Sequence, residues 1–341
     1  MKYLDQAFDS YEKKIKSDGM AFCIESGDGS YHWKRESGKM VNDRCYGIAS
    51  VTKMYTASII LKLIDEGMLA MTDKIEKHLS SEIMERLPNY KGISASREIT
   101  IHNLLAQTSG IPDYFTEALK GDLKKADQIP GQPDIMREEM LNWLVHQKLK
   151  FNPVKESRAH YSDMNYDLLG VIIENITKKS FEYNVEKYII EPLQLHNTRV
   201  FFNDSKVDFP GVWSKGEILC PKNVLSSGPA SGGIISTVQE NIKFLKAFWN
   251  AQLFEANHLE HLKIYHHIQF IPLQYGVGHM RFKQIGIPEF IGHSGSSGTV
   301  CYYMPKEDLY ITGTINECNE AKAIRMMFNL MNCCIRQRRK K

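Results

Sequence analysis

The sequence lacks the features that mark a membrane, disulfide-rich or secreted protein. No run of 18 apolar residues occurs, so no segment predicts a transmembrane helix. The seven cysteines are scattered without a Cys-x-x-Cys pair, which argues against a disulfide framework and favours a reducing compartment. Residues 1–8 lack the apolar stretch of a signal peptide, so the sequence as written predicts a cytoplasmic protein, or an exported one if a leader was removed.

The chain also lacks a strong excess of either charge. Its 43 Lys and Arg residues against 40 Asp and Glu residues leave a net charge of +3, and five positive charges lie within the last six residues. The rest of the chain is therefore slightly acidic, which argues against a nucleic-acid partner. We interpret the basic end as a solvated terminus, with a small anionic contact as the alternative.

Strand patterns lie near both ends of the 341 residues, and helical patterns lie between them. Apolar spacing predicts helices over 3–16, 50–67 and 319–336. A Gly-Asp-Gly turn predicts a hairpin of strands 20–25 and 30–35, and further strands are predicted at 275–283, 298–304 and 309–316.

This order predicts an α/β (α+β) fold with a central antiparallel sheet assembled from both ends of the chain and flanked by helices. Residues 1–69 and 216–341 would form the discontinuous sheet domain with the terminal helices. Residues 70–215 would form an inserted, mainly helical domain, and the active-site cleft would lie between the two.

The first candidate motif is Ser50-Val51-Thr52-Lys53, at the start of the apolar helix 50–67. A serine is a weak nucleophile until a neighbouring group takes its proton, and residues three apart share a helix face. Lys53 is therefore predicted to lie beside the Ser50 hydroxyl. The same spacing recurs at Ser10 and Lys13 on a polar surface helix, where we assign it no function.

Tyr161-Ser162-Asp163, ahead of a helical run, is the second candidate. A tyrosine hydroxyl near a lysine can act as a general base or proton relay. The alternative is structural: Ser162 or Asp163 caps the helix and Tyr161 is a packed aromatic.

The third candidate is the segment 292–298, Gly-His-Ser-Gly-Ser-Ser-Gly, directly before a predicted strand. Its glycines allow the backbone to approach a ligand closely. His293 and Ser294 are candidate donors to a substrate carboxylate, and the Ser296 N–H is a candidate oxyanion donor. An ordinary Gly-Ser turn between strands is the alternative.

In this order the three motifs resemble the signature of the penicillin-recognising serine hydrolases. The match is closest to class C β-lactamases, serine D-alanyl-D-alanine carboxypeptidases and related esterases, whose second motif is Tyr-x-Asn and whose third is Lys- or His-x-Gly. The stretches 101–114 and 230–237 are also similar to this family, and the resemblance spans about residues 20–317. It implies a β-lactamase/transpeptidase-like fold.

The resemblance also implies roles for the catalytic residues. Ser50 would be the acylated nucleophile, and Lys53 would help to remove its proton. Tyr161 would pass that proton to the leaving group and then activate the deacylating water. The N–H groups of Ser50 and Ser296 would form the oxyanion hole.

For substrate binding, the resemblance assigns His293 and Ser294 to the orientation of Tyr161 and of a substrate carboxylate or carbonyl. Gly295 completes this third motif, and Asp163 would face the substrate. The implied partner is a small-molecule or peptide substrate, with no metal or organic cofactor. The oligomeric state stays open.

Two departures from the family pattern bear on activity. Asp163 replaces the usual Asn, and an ionised carboxylate only accepts hydrogen bonds. Paired with Lys53, it would also weaken that lysine as a base. His293 replaces the lysine of true β-lactamases. The prediction is therefore a serine hydrolase for a small amide or ester, acting as a D-peptidase, esterase or weak β-lactamase. A catalytically weak penicillin-binding or sensor-like protein is the alternative.

A histidine-rich segment, His258 to His267, is a competing candidate site. Four histidines and Glu260 lie within ten residues, and zinc sites use these residue types. The spacing does not match His-Glu-x-x-His, so we favour a partly exposed helix near the sheet over a metal site.

Overall fold

A computed structural model describes residues 2–92, 94–155, 158–203, 209–268, 272–284 and 286–339. Its α-helices are α1 (Lys2–Glu12), α2 (Thr52–Asp65), α3 (Ser81–Arg86), α4 (Ile101–Leu105), α5 (Leu123–Asp127), α6 (Pro133–Leu144), α7 (Asp163–Thr177), α8 (Phe181–Val185), α9 (Glu191–Leu193), α10 (Lys222–Ser227), α11 (Val238–Trp249), α12 (His258–Leu262) and α13 (Glu320–Arg338). Short 3₁₀ turns occur at Gly38–Met40, Ala49–Val51, Ile75–Lys77, Ala95–Glu98 and Pro305–Glu307, and π-helical turns at Tyr114–Ala118 and Glu186–Ile190.

The strands form one large sheet and two small ones. They are β1 (Ala21–Ser26), β2 (His32–Glu36), β3 (Tyr46–Gly47), β4 (Arg199–Val200), β5 (Val212–Ser214), β6 (Glu217–Leu219), β7 (Ile234–Ser236), β8 (His266–His267), β9 (Leu273–Tyr275), β10 (Met280–Gln284), β11 (Ile287–Gly295), β12 (Thr299–Met304) and β13 (Leu309–Thr314). The large sheet has the order β2-β1-β13-β12-β11-β10-β9-β8, and all of its neighbours are antiparallel.

Both ends of the chain build this sheet. Strand β1 pairs with β13, and Ala21 lies opposite Thr314. The predicted antiparallel sheet, assembled from the two ends of the chain and flanked by helices, is therefore confirmed. The two-domain division with a boundary at residues 69/70 and 215/216 stays a prediction.

The two faces of the sheet bury separate cores. Phe22 and Ile24 of β1 pack with the terminal helices α1 and α13, whereas the intervening Cys23 packs with α2 and α11 on the other face. Strand residues alternate between faces, so β1 contributes to both cores. Helix α2 lies deep in the second core, since all its residues from Thr52 to Leu61 are buried.

A small sheet, β3-β7-β4, fixes the chain just before α2. Gly47 pairs with Ile235, and the Ile48 N–H donates to the Ile234 carbonyl at 3.0 Å. This sheet determines where the first turn of α2 begins, and therefore where its N-terminal side chains lie.

Two sequence predictions of secondary structure are wrong in detail, and a third interpretation fits only in part. The strand predicted at 275–283 is two strands, β9 and β10, separated by a turn in which Gly278 adopts φ +78°. The alternative interpretation of the third motif, an ordinary turn between strands, fits only its end, because residues 292–295 belong to strand β11. The histidine-rich segment is not one helix, because α12 ends at Leu262 and β8 follows.

The cysteines, the helix lengths and the basic C-terminus bear on the question of disulfides, membrane spans and charged contacts. None of the seven cysteines, all of which lie among the described residues, forms a disulfide. None of the described helices has the length and apolar character needed to cross a membrane. Of the basic residues at the C-terminus, Lys340 and Lys341 lie outside the described residues, and Arg338 donates to the Glu307 carbonyl at 3.0 Å.

Candidate active site

Ser50 lies in the 3₁₀ turn Ala49–Val51 that leads directly into α2. The preceding residue, Ala49, has φ +48°, a left-handed conformation that is unfavourable for alanine. Such a conformation persists only where surrounding structure holds it, and here the small sheet does so. Ser50 is partly exposed and lines an open cleft.

Lys53 is fully buried and follows Ser50 by one helical turn. Its Nζ donates to the Ser50 Oγ at 3.1 Å and to the Ser231 carbonyl at 2.6 Å, and it lies 2.6 Å from Asp163 Oδ1. The first two contacts are hydrogen bonds, and the third is an ion pair with a carboxylate oxygen that accepts no hydrogen bond among the described residues. The arrangement is that of a charged lysine oriented by Asp163 and Ser231 and directed at the Ser50 hydroxyl.

Aromatic rings complete the surroundings of this lysine. Lys53 Nζ lies 5.2 Å from the ring centroid of Tyr161 and 5.6 Å from that of Tyr166. Both distances are within the range of cation–π contacts. Burial and the nearby Asp163 carboxylate raise the pKa of Tyr161 well above its ordinary value, and a hydrogen bond with Ser50 lowers it in part. The phenol therefore keeps its proton at neutral pH.

The backbone at Tyr161 is held by residues of the 101–114 stretch. The His160 N–H donates to the Gln107 carbonyl at 2.8 Å, and the Ser162 N–H donates to Gln107 Oε1 at 2.9 Å. The Asp163 N–H donates to Asp113 Oδ1 at 2.8 Å. These bonds fix Tyr161 and Asp163 relative to α2, which gives the 101–114 stretch a structural role.

Asp163 is not a simple helix cap. It is the first residue of α7, and the N-cap residue Ser162 makes no capping hydrogen bond, since its hydroxyl donates to the Pro112 carbonyl at 3.1 Å. The Asp163 side chain is 26% exposed, pairs with Lys53 and lines the cleft. Its carboxylate is thus part of the same cleft as Ser50.

Two further carboxyl groups lie behind Asp163. Burial, reinforced by the Asp163 charge, raises the pKa of Asp113 to about 6. Burial also raises the pKa of Asp167 to about 7, although a hydrogen bond with Ser231 opposes this. Asp167 Oδ2 is shielded from solvent and has no hydrogen-bond partner among the described residues.

We expect Asp167→Asn to weaken the pH dependence of stability. The ordinary pKa of this carboxyl is 3.8 and the folded value is about 7. Between these values the folded protein holds a proton that the unfolded chain has lost, so the free energy of unfolding falls as pH rises. An amide does not titrate. Between about pH 5 and about pH 8, the free energy of unfolding of the variant should therefore fall by about 1–3 kcal/mol less than that of the wild type. Urea unfolding at the two pH values measures this difference, and an equal loss in both proteins would contradict the prediction.

The third motif lies beside Tyr161, but its histidine does not face the cleft. His293 is fully buried, and its ring centroid is 6.1 Å from that of Tyr161. Its Nδ1 is 2.7 Å from the Ser294 carbonyl, which can only accept, so the neutral ring accepts the Tyr275 hydroxyl at Nε2, 3.1 Å away. Burial, with the nearby Lys53 charge, lowers the pKa of His293 to about 3. In this structure His293 supports the aromatic cluster and offers no donor to a substrate.

Ser294 is also directed away from the cleft. It is 1% exposed, and its hydroxyl donates to the carboxylate of Glu320 at the start of α13. The Tyr302 hydroxyl donates to Ser294 Oγ at 3.3 Å. In this structure both side chains are buried and bonded within the fold, and their assignment to the orientation of Tyr161 and of a substrate carboxylate or carbonyl stays a prediction.

Gly295 and Ser296 do lie beside Ser50. A Cβ at Gly295 would come within 2.9 Å of both Ala49 Cβ and the Ile48 carbonyl, and within 3.4 Å of the Ser50 nitrogen. Only glycine allows β11 to pass this close to the turn. Ser296 is exposed and lines the same cleft as Ser50.

Three contributors to the site were not identified from the sequence. The Ser231 carbonyl is a backbone group, so its side chain gives no signal. Asp167 follows Asp163 by four residues on α7, and this spacing places both on one helix face. That spacing was a usable signal. Asp113 closes a stretch that was singled out by resemblance, but nothing in the pattern gave it a role.

The histidine-rich segment has structural contacts. His258 Nε2 lies 2.6 Å from Asp65 Oδ1 at the end of α2. In the part of the chain that the structure describes, no group of three or more His, Cys, Asp or Glu side chains is arranged to hold a metal ion.

The fold is that of the penicillin-binding-like serine hydrolases. The family model described as Beta-lactamase matches residues 4–325. The chain therefore belongs to the β-lactamase family, as its motifs indicated.

Two curated relatives show how far the likeness extends. The chain is 37% identical over 153 residues to Protein flp of Staphylococcus aureus (strain MW2), which covers 45% of this chain and 27% of that protein. It is 27% identical over 277 residues to the D-alanyl-D-alanine-carboxypeptidase/endopeptidase AmpH of Escherichia coli (strain K12), which covers 77% of this chain and 67% of AmpH. The match to flp thus spans less than a third of that protein's length.

Two solved structures share the fold over nearly the whole chain. The D-stereospecific amidohydrolase from Streptomyces sp. has a TM-score of 0.78 at 24% identity, covering 95% of this chain and 97% of that one. The D-amino acid amidase from Ochrobactrum anthropi SV3, complexed with L-phenylalanine amide, has a TM-score of 0.79 at 18% identity, covering 98% and 99%. At these identities the likeness establishes the fold.

Proposed function

We propose that the protein hydrolyses a small ester or amide through an acyl-enzyme at Ser50. One observation carries this proposal: the buried Lys53 contacts Ser50 Oγ at 3.1 Å in an open cleft, with the ring of Tyr161 beside it. A purely structural lysine gains nothing from pointing at a partly exposed serine. The names of AmpH and of the amidase and amidohydrolase structures support ester or amide substrates.

In the acylation step, Ser50 Oγ attacks the substrate carbonyl carbon and its proton leaves to Tyr161. Because the pKa of Tyr161 is raised, the phenol acts best as a relay. It accepts the Ser50 proton while passing its own proton to the departing alcohol or amine. Lys53 orients the Ser50 hydroxyl and stabilises the negative charge that develops between Ser50 and Tyr161.

The oxyanion of the tetrahedral intermediate would accept hydrogen bonds from the N–H groups of Ser50 and Ser296. The close approach of β11 at Gly295 brings the Ser296 backbone to the turn that carries Ser50. In the second step, water attacks the acyl carbon, Tyr161 takes a proton from that water, and Ser50 regains its proton. The acid product leaves and the resting enzyme is restored.

A catalytically weak binding protein is the second candidate, and the Lys53–Asp163 contact favours it. A Lys53 ammonium that is ion-paired with Asp163 has no lone pair with which to take the Ser50 proton. Acylation would then be slow, and a long-lived acyl-enzyme would behave as a sensor.

Intact-protein mass spectrometry after exposure to p-nitrophenyl acetate and to a penicillin tests both candidates. We expect one acyl group on the wild type and none at this position in Ser50→Ala. Ser10→Ala is the matched control, because it has the same Ser-x-x-Lys spacing on the surface helix α1. Peptide mapping separates Ser50 from the exposed Cys220 and Cys318. Absence of any acyl-Ser50 would overturn the proposed function, and the lifetime of the adduct separates the enzyme from the sensor.

A further inference from the structure

The cleft that contains Ser50 has a largely apolar lining. Five of its side chains are here called the apolar wall; they come from the π-helical turn and the residue after it, from α6 and from α10: Phe115, Leu119, Met136, Met140 and Leu225. Phe115 and Leu119 are only partly buried, so they present apolar surface to the open cleft. Apolar surface left open beside a nucleophile is typical of a binding site for an apolar group.

A single charged side chain lines the described part of the cleft, and it is acidic. Among the described residues that line it, Asp163 is the only charged one, and no Lys, Arg or His side chain reaches the lining. The nearest cation to Ser50, Lys53, is buried and already paired with Asp163, so a substrate carboxylate would find no unpaired cation on the described lining. Like charges at short range in a partly desolvated cleft repel each other.

The groups that resemblance would assign to a substrate carboxylate are already engaged. The Ser294 hydroxyl donates to the Glu320 carboxylate inside the fold, and burial raises the pKa of Glu320. The neutral His293 ring bonds to Ser294 and Tyr275. Neither residue offers an anion a free donor.

From these three observations we infer that the site takes neutral esters or amides with a large apolar group and discriminates against substrates with a carboxylate near the scissile bond. This inference rests on the proposed acyl-enzyme at Ser50 and names its substrate class. It separates the protein from carboxypeptidase-like and β-lactam-hydrolysing relatives, whose substrates carry a carboxylate.

The first test is a series of p-nitrophenyl esters: acetate, butyrate, hexanoate and octanoate, with the Ser50→Ala rate subtracted. Each methylene fully buried on binding is worth up to about fourfold. We expect kcat/KM to rise at least about tenfold from acetate to octanoate. The mono-p-nitrophenyl ester of adipic acid, equal in chain length to hexanoate, should react at least about tenfold more slowly than hexanoate.

The second test reverses the charge preference at one residue of the apolar wall. Leu119→Lys places an ammonium in the cleft, and Leu119→Met keeps the size and the neutral character. The lysine variant should raise the adipate-to-hexanoate ratio of kcat/KM at least about tenfold, whereas the methionine variant should leave it within about twofold. Val224→Lys, with Val224→Ile, repeats the test at another partly buried lining residue if Leu119→Lys does not fold.

The outcomes separate this inference from the proposed function. If acetate acylates Ser50 but octanoate is no faster, or adipate matches hexanoate, the inference is wrong and the serine hydrolase stands. An unchanged ratio in a folded lysine variant also overturns the inference. If no ester acylates Ser50, the proposed function fails with it.

Discussion

Lys53→Ala is expected to slow acylation of Ser50 by about a hundred-fold to ten-thousand-fold, the range for loss of a group that assists proton transfer. The variant loses the only cation that contacts Ser50 Oγ among the described residues. It also leaves Asp163 without its partner. Stopped-flow measurement of p-nitrophenol release gives the acylation rate on the folded protein.

Two controls separate a chemical role from a structural one. Lys53→Met retains the buried volume and should lose acylation equally. Thermal unfolding reports the folded fraction, because removing one partner of a buried ion pair costs up to about 3–5 kcal/mol, and less where the other partner is partly exposed. A folded variant that acylates at the wild-type rate would remove Lys53 from the mechanism.

Asp163→Asn is expected to raise the rate of acylation by β-lactams about tenfold or more, and the rate with simple esters less. The substitution releases Lys53 from its ion pair, supplies an amide donor and removes the negative charge that faces a β-lactam carboxylate. One charge-assisted hydrogen bond is worth roughly 1.5–3 kcal/mol, and about 1.4 kcal/mol is tenfold in rate. Acylation rates with a penicillin and with p-nitrophenyl acetate measure both effects.

The matched control is Asp18→Asn. Asp18 pairs with Lys39 at 2.6 Å, the same distance as Asp163 from Lys53, but on the surface. It should change neither rate. Equal rates for wild type and Asp163→Asn with both substrates would show that Asp163 acts only at the start of α7.

The sequence predicted the fold class and the meeting of Ser50, Lys53 and Tyr161 because these depend on local spacing and on motif order. A three-residue separation on a helix fixes the first pair. The sequence also anticipated the Lys53–Asp163 contact, since an acidic residue stood in place of an amide.

The direction of side chains on β11 could not be predicted in the same way. The sequence gives the order His293-Ser294-Gly295, but burial depends on the strands and helices packed against it. The partners of His293 and Ser294 come from other elements: Tyr275 lies on β9 and Glu320 on α13. No local sequence pattern predicts how those elements pack against β11. Their contacts decide that His293 and Ser294 face inward.

The pairing of β1 with β13 has a consequence for how the nucleophile is formed during synthesis. Ala21 finds its partner only when Thr314 has been made, so the central strand pair closes a loop of nearly the whole chain. Contacts of such large sequence separation form late in folding. The entropic cost of closing the long loop must be met before the contacts can stabilise the structure. A ribosome-bound chain that already contains Ser50 and Lys53 thus lacks the completed sheet whose strand β11 passes beside the Ser50 turn. We expect nascent chains stalled before β13 to leave Ser50 unreactive towards an activated ester, so that competence for acylation appears only when synthesis is nearly complete.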